Sequence, residues 1–141
     1  MRLFQKVAVI GLDCAITHMI EKHIAEGVLP NFKKLFERSA VCENTFVPYP
    51  TITPPNWATI STGAWPGTHG ITDFWVHLPG TTPTADNAVC AFNSKWNKAE
   101  TMWEEAERAG KKSIVFNYPG AWPSRMKNGI VVGGAVDSRR F

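Results

Sequence analysis

Two hydrophobic periodicities alternate along this chain. Residues 7–10, Val-Ala-Val-Ile, form an unbroken apolar run rich in β-branched side chains, the pattern of a central parallel strand covered on both faces. Gly11 follows, and Asp13 stands at the run's C-terminal end. Ile16, Met19, Ile20 and Ile24 then recur at helical spacing, with Gly27 placed to end that helix. Leu29-Pro30-Asn31 turns into a second helix carrying Phe32, Leu35 and Phe36 on one face, and residues 41–47 read as a short strand. Residues 48–53 form a loop, from which Pro54-Pro55 opens a third helix through Trp57, Ile60 and Ser61 to Gly63. Residues 76–94 read as an irregular excursion. Trp96, Ala99, Trp103 and Ala106 lie along one stripe of a helix over residues 96–109, stopped by Gly110. Residues 113–116 read as a buried strand, 117–128 as a Pro/Trp loop, and 130–132 as a last short strand.

Strands alternating with helices predict an α/β fold with a largely parallel sheet. After residue 132 the chain runs into Val-Asp-Ser-Arg-Arg-Phe, with no further element to cover that sheet.

Composition narrows the function. The 141 residues suit a single domain at most, and 44% hydrophobic against 19% charged residues excludes a disordered tail or a collagen-like rod. A net charge of +3, with no long Lys/Arg run, gives no electrostatic footprint for a nucleic-acid polymer. The apolar run at 7–12 meets Asp13 too soon for a signal-peptide core or a membrane span. The three cysteines, Cys14, Cys42 and Cys90, include no Cys-x-x-Cys, which predicts a reducing, cytoplasmic setting. Many of the tryptophans and prolines fall between residues 48 and 79, so the unusual composition is local.

Two residues stand out chemically, each with a plain structural alternative. Asp13, at the carboxyl end of a predicted parallel strand, is where such sheets bind ligands; an Asp before a helix is equally a common N-cap. Thr53 precedes Pro54-Pro55 and reads as an N-cap, yet a hydroxyl beside a metal at a helix N-terminus also suits attack on phosphorus. His69, in a Gly-rich turn, reads as structural, and His18 and His23 fall on different helix faces. No HExxH, GxGxxG or Walker pattern occurs, and Ala15 stands where a DxD phosphatase would need its second Asp.

Taken together, VAVIGLDCA (7–15), LPNFKKL (29–35) and PTITPPNWATISTGAWPGTHGITDFW (50–75) resemble the alkaline phosphatase superfamily, and within it the type I phosphodiesterase/nucleotide pyrophosphatase family. VFNYPGAWPSRMKNGIVVGG (115–134) resembles that family's strand, Asn-x-Pro loop, Asn-Gly and strand region. The resemblance implies a three-layer α/β sandwich around a largely parallel sheet, incomplete here, with residues 1–141 as the N-terminal part of one catalytic domain. It implies a hydrolase of small phosphoester substrates. Thr53 would be the nucleophile, forming a phosphothreonine, and Thr53 and Asp13 would be ligands of one metal. Two divalent ions about 4 Å apart would serve the reaction, zinc by family habit, with manganese or magnesium as alternatives. Asn56 would shape the helix start or bind substrate, and His69-Gly70 would be structural.

The chain departs from the family pattern at three points. Cys14 occupies the usual glycine after the metal-binding Asp. Phe74 stands where many nucleotide pyrophosphatases place a phosphate-binding Asn, which leaves Asp73 or Trp75 to line the pocket and argues against nucleotides. The family's downstream Asp-x-x-x-His, Asp-His and late His have no counterpart, since no His follows His77 and the later Asp residues are Asp86 and Asp137. The second metal site is therefore not encoded in these residues, which are expected to be inactive alone and to self-associate through an uncovered sheet. The alternatives are a phosphomutase or phosphonoacetate-hydrolase-like enzyme, or a non-catalytic assembly module with residues 48–79 as its surface.

Overall fold

The structure, a computed structural model, describes residues 6–43 and 45–133. It divides into two compact units, Met1–Phe46 and Val47–Phe141.

The first unit holds helices α1 (Thr17–Ala25) and α2 (Pro30–Phe36). Gly27 adopts φ +75° just past α1, and Pro30 begins α2, so both boundaries follow the stop and start residues of the sequence. The strand expected at 7–10 is corrected. These residues have no ladder partner among the described residues and lie open, with Val7 81% and Ile10 83% exposed. A β-rich run becomes a strand only when neighbouring backbone takes up its N–H and C=O groups. The expected strand at 41–47 is likewise absent over its described residues, Asn44 lying outside them.

The second unit carries a mixed α/β arrangement with two small sheets. Helix α3 (Thr53–Thr62) leads through Gly63, in the left-handed conformation at φ +66°, into the single turn α4 (Pro66–His69). Strands β1 (Trp75–His77) and β2 (Ala88–Cys90) pair antiparallel, with Trp75 opposite Cys90 and His77 opposite Ala88. The stretch read as irregular thus contains a hairpin, whose three-residue strands are too short to show alternation. Helix α5 (Met102–Arg108) precedes β3 (Ile114–Phe116), which pairs in parallel with β4 (Ile130–Val132). This parallel pair is the observed part of the expected sheet. Phe116 is 76% exposed, however, so only Val115 of β3 is buried.

The helix expected over 96–109 is shortened at its start. Trp96 belongs to a separate 3₁₀ turn, and α5 begins after Thr101. The Glu104 carboxylate accepts the Thr101 N–H at 2.9 Å and the Thr101 hydroxyl at 2.6 Å, a capping box that fixes the first turn. Arg125 donates to that same carboxylate at 2.7 Å. Although burial alone would raise the Glu104 pKa, these donors outweigh it and hold the group below the usual carboxylate value.

Two apolar clusters support this unit. One joins Ala58, Ile71 and Ala91 with Val76 and Trp96; the other joins Trp103, Val115 and Ala121 with Tyr118 and Val131. Helix α3 serves both, because Ala58 lies in the first while Trp57 meets Tyr118 of the second edge-on. Among the described residues no helix is long and apolar enough to cross a membrane. Residues 134–141, including Asp137 and the segment expected to leave the sheet uncovered, lie outside the described residues.

Candidate active site

Thr53 is the first residue of α3, not its cap. Ile52 is the N-cap, extended at φ −122° and ψ 166°, and no side chain caps the helix. Pro54 and Pro55 are fully buried and anchor the first turn, while Thr53 remains half-buried at the helix start. The two prolines have no N–H, so the first turn lacks two of the donors that usually cradle an anion. An anion placed at this helix start would therefore be neutralised chiefly by other groups.

The hydroxyls of α3 divide sharply. The Ser61 and Thr62 hydroxyls donate to the Ala58 carbonyl at 3.0 and 2.7 Å, and the Thr59 hydroxyl meets His69 Nε2 at 3.0 Å. The Thr53 hydroxyl has no hydrogen-bond partner among the described residues. Its neighbour one turn on, Asn56, donates Nδ2 to the Ile52 carbonyl at 2.8 Å and so closes the helix start from the side chain. That is the shaping role expected of Asn56.

His69 and Tyr118 hold α3 in place. His69 is fully buried, and its Nδ1 accepts the Ile71 N–H at 3.0 Å. The ring proton therefore sits on Nε2, which donates to the Thr59 hydroxyl. Burial lowers the His69 pKa, only partly offset by the nearby Pro55 carbonyl, and the ring stays neutral. The structural role expected of His69 matches this arrangement. Tyr118 donates its hydroxyl to the Trp57 carbonyl at 2.9 Å and stands edge-on between Trp57 and Trp103, each ring centroid 5.0 Å away. Burial raises its pKa against the opposing effect of the Ser61 hydroxyl. The only sequence signal for Tyr118 is its place two residues past β3, in Asn-Tyr-Pro-Gly.

Asp13 lies in the other unit, in a turn, and Ile16 rather than Asp13 is the N-cap of α1. Its Oδ1 accepts the Cys14 N–H at 3.0 Å and faces the Cys14 thiol at 3.8 Å, while Oδ2 has no partner among the described residues. Cys14 itself adopts φ +55°, a left-handed conformation that glycine takes without cost. The departure from glycine noted in the sequence therefore falls where the backbone favours glycine.

The three residues expected near the pocket separate. Asp73 and Trp75, alternate positions on one face, line an open cavity of ≈ 340 Å³ together with His77, Ala85 and Ala88. Phe74 packs edge-on against Phe92 at 5.9 Å instead. Thr53 and Asn56 are not part of that lining.

As metal donors, the carboxylate of Asp13 and the hydroxyl of Thr53 are oxygen ligands suited to a divalent ion. Each supplies one donor within its own unit, against the four that zinc takes, and among the described residues no three His, Cys, Asp or Glu side chains converge. Neither residue completes a metal site by itself.

Residues 7–135 match the sequence model of the family described as type I phosphodiesterase/nucleotide pyrophosphatase. Over 100 residues the chain is 35% identical to ectonucleotide pyrophosphatase/phosphodiesterase family member 1 of Homo sapiens, covering 70% of this chain and 11% of that protein. It is 34% identical over 101 residues to an uncharacterised pyrophosphatase/phosphodiesterase of Schizosaccharomyces pombe, covering 70% of this chain and 21% of that one. Against family member 3 of Mus musculus it is 33% identical over 97 residues, or 67% and 11% of the two chains. The chain thus spans between a tenth and about a fifth of the length of these relatives. The cytoplasmic setting expected from cysteine usage is corrected here, because the human and rodent relatives are by name ecto-enzymes. Three unpaired cysteines exclude a disulfide framework but do not report which side of a membrane a protein occupies.

Proposed function

Because the chain belongs to the type I phosphodiesterase/nucleotide pyrophosphatase family, we propose that it supplies the nucleophile and one metal ligand of a phosphoester hydrolase. The observation that carries this reading is the Thr53 hydroxyl, left without a partner among the described residues on a helix whose other hydroxyls are all engaged. In this reading the stretch forms the nucleophile-bearing part of an alkaline-phosphatase-like three-layer domain.

Thr53 Oγ attacks phosphorus in line with the leaving group. The Oγ–P bond forms, the ester P–O bond breaks, and the departing oxygen takes up a proton while the hydroxyl loses one. Water then cleaves the phosphothreonine and restores the hydroxyl. Asp13, through its open Oδ2, would hold one divalent cation. Divalent ions, zinc first and manganese or magnesium as alternatives, supply the charge that activates a hydroxyl and offsets the phosphate when bound. The buried prolines and His69 fix the direction of α3, and with it the approach of Oγ. The residues described here are insufficient for turnover by themselves. Exposed Ile114 and Phe116 on β3 also favour self-association, since both faces of a parallel sheet are ordinarily covered.

The test is hydrolysis of bis-p-nitrophenyl phosphate by the protein as expressed from its gene. Thr53→Ala should lower kcat by about a thousandfold or more, and Thr53→Ser should retain most of it. Undiminished activity in Thr53→Ala would remove the proposal.

A further inference from the structure

The cavity on the β1–β2 hairpin presents an unusual chemical combination. Asp73, Trp75 and His77 are alternate residues at and along β1, so all three reach the same face. Ala88, the ladder partner of His77, and Ala85 complete the lining with small side chains, and the space is open, at ≈ 340 Å³. Among the described residues the lining holds one carboxylate, an indole and an imidazole, with no lysine or arginine. Asp73 Oδ1 accepts the Phe74 N–H at 2.6 Å, which fixes the carboxylate and leaves Oδ2 without a partner among the described residues.

We infer that this cavity is a binding site for a small organic ammonium ion. A carboxylate repels phosphate, so the pocket does not suit the anionic end of a phosphoester. An indole and a carboxylate lining one cavity offer an alkylammonium group both a ring quadrupole and an opposite charge. A metal ion is a poorer fit. One carboxylate and one imidazole are too few ligands, and the volume lies in the range of small organic ligands. The inference does not rest on the hydrolase reading, because binding is measured without turnover.

The experiment is NMR titration of the chain with tetramethylammonium chloride, followed at the indole N–H signals, with uncharged 3,3-dimethylbutanol as the comparison. Trp75→Phe assigns the Trp75 signal. The expected result is a saturable millimolar shift at Trp75 with the cation and none with the alcohol. Asp73→Asn keeps an oxygen for the Phe74 N–H, so the turn holds, and should weaken binding about tenfold. Trp75→Leu should abolish binding; its amide spectrum reports whether the hairpin persists. Absence of saturation in the unaltered chain, equal binding of the alcohol, or full affinity in Asp73→Asn would each overturn the inference.

Discussion

His69 Nε2 and the Thr59 hydroxyl meet at 3.0 Å, ten residues apart, and close the corner between α3 and α4. The same ring accepts the Ile71 N–H through Nδ1 and is fully buried. One side chain thus satisfies polar groups on both sides of the Gly70 turn. His69→Ala leaves the Ile71 N–H without its acceptor and opens a cavity against the Pro55 turn. We expect a loss of about 2–4 kcal/mol in urea unfolding. A loss below about 1 kcal/mol would show that His69 does not hold this corner.

The same burial makes stability depend on pH. The folded His69 pKa lies below its ordinary value of 6.5, so the unfolded chain binds the proton more readily. The contribution is complete above pH 6.5 and declines as pH falls from there towards the lowered folded value. Urea midpoints measured across that window should therefore drop with acidity, and drop less steeply in His69→Gln. Parallel curves for the two proteins would contradict the assignment.

Tyr118 separates a hydrogen bond from an aromatic contact. Tyr118→Phe removes the bond to the Trp57 carbonyl but keeps both edge-on ring contacts. It should cost about 1 kcal/mol, whereas Tyr118→Ala should cost about 3–5 kcal/mol. Equal losses would mean that the rings contribute nothing beyond the hydroxyl.

Cys14 occupies φ +55° beside Asp13. Cys14→Gly should stabilise the chain by about 0.5–1 kcal/mol, and Cys14→Ala should give no gain, since alanine shares the Cβ conflict. Thermal midpoints of the two variants, compared side by side, decide it. A gain in Cys14→Ala equal to that in Cys14→Gly would trace the effect to the thiol instead.

Much of this organisation was legible in the sequence where the signal is local. Ile16, Met19, Ile20 and Ile24 mark α1, Pro54-Pro55 and Gly63 bound α3 to within a residue, and 130–132 read correctly as a strand. Residues 7–10 did not, because a strand is defined by neighbours and a sequence run names none. The stripe through Trp96 and Trp103 fits a helical period by coincidence; the decisive signal was Thr101-x-x-Glu104, a cap four residues wide. The structural roles of Asn56 and His69 were legible because each sits in a short motif. Tyr118 and His77 were not, since their partners Trp57 and Ala88 lie far off in sequence or across a hairpin.

The central claim is that Thr53 is the nucleophile. Its most direct test is acid quenching of the gene's expressed protein during turnover of a p-nitrophenyl phosphoester, followed by peptide mass spectrometry. A phosphoryl adduct is expected on the peptide spanning Thr53, localised to that hydroxyl, absent in Thr53→Ala and moved to serine in Thr53→Ser. An adduct on another residue, or turnover that persists in Thr53→Ala with no adduct at position 53, would contradict it.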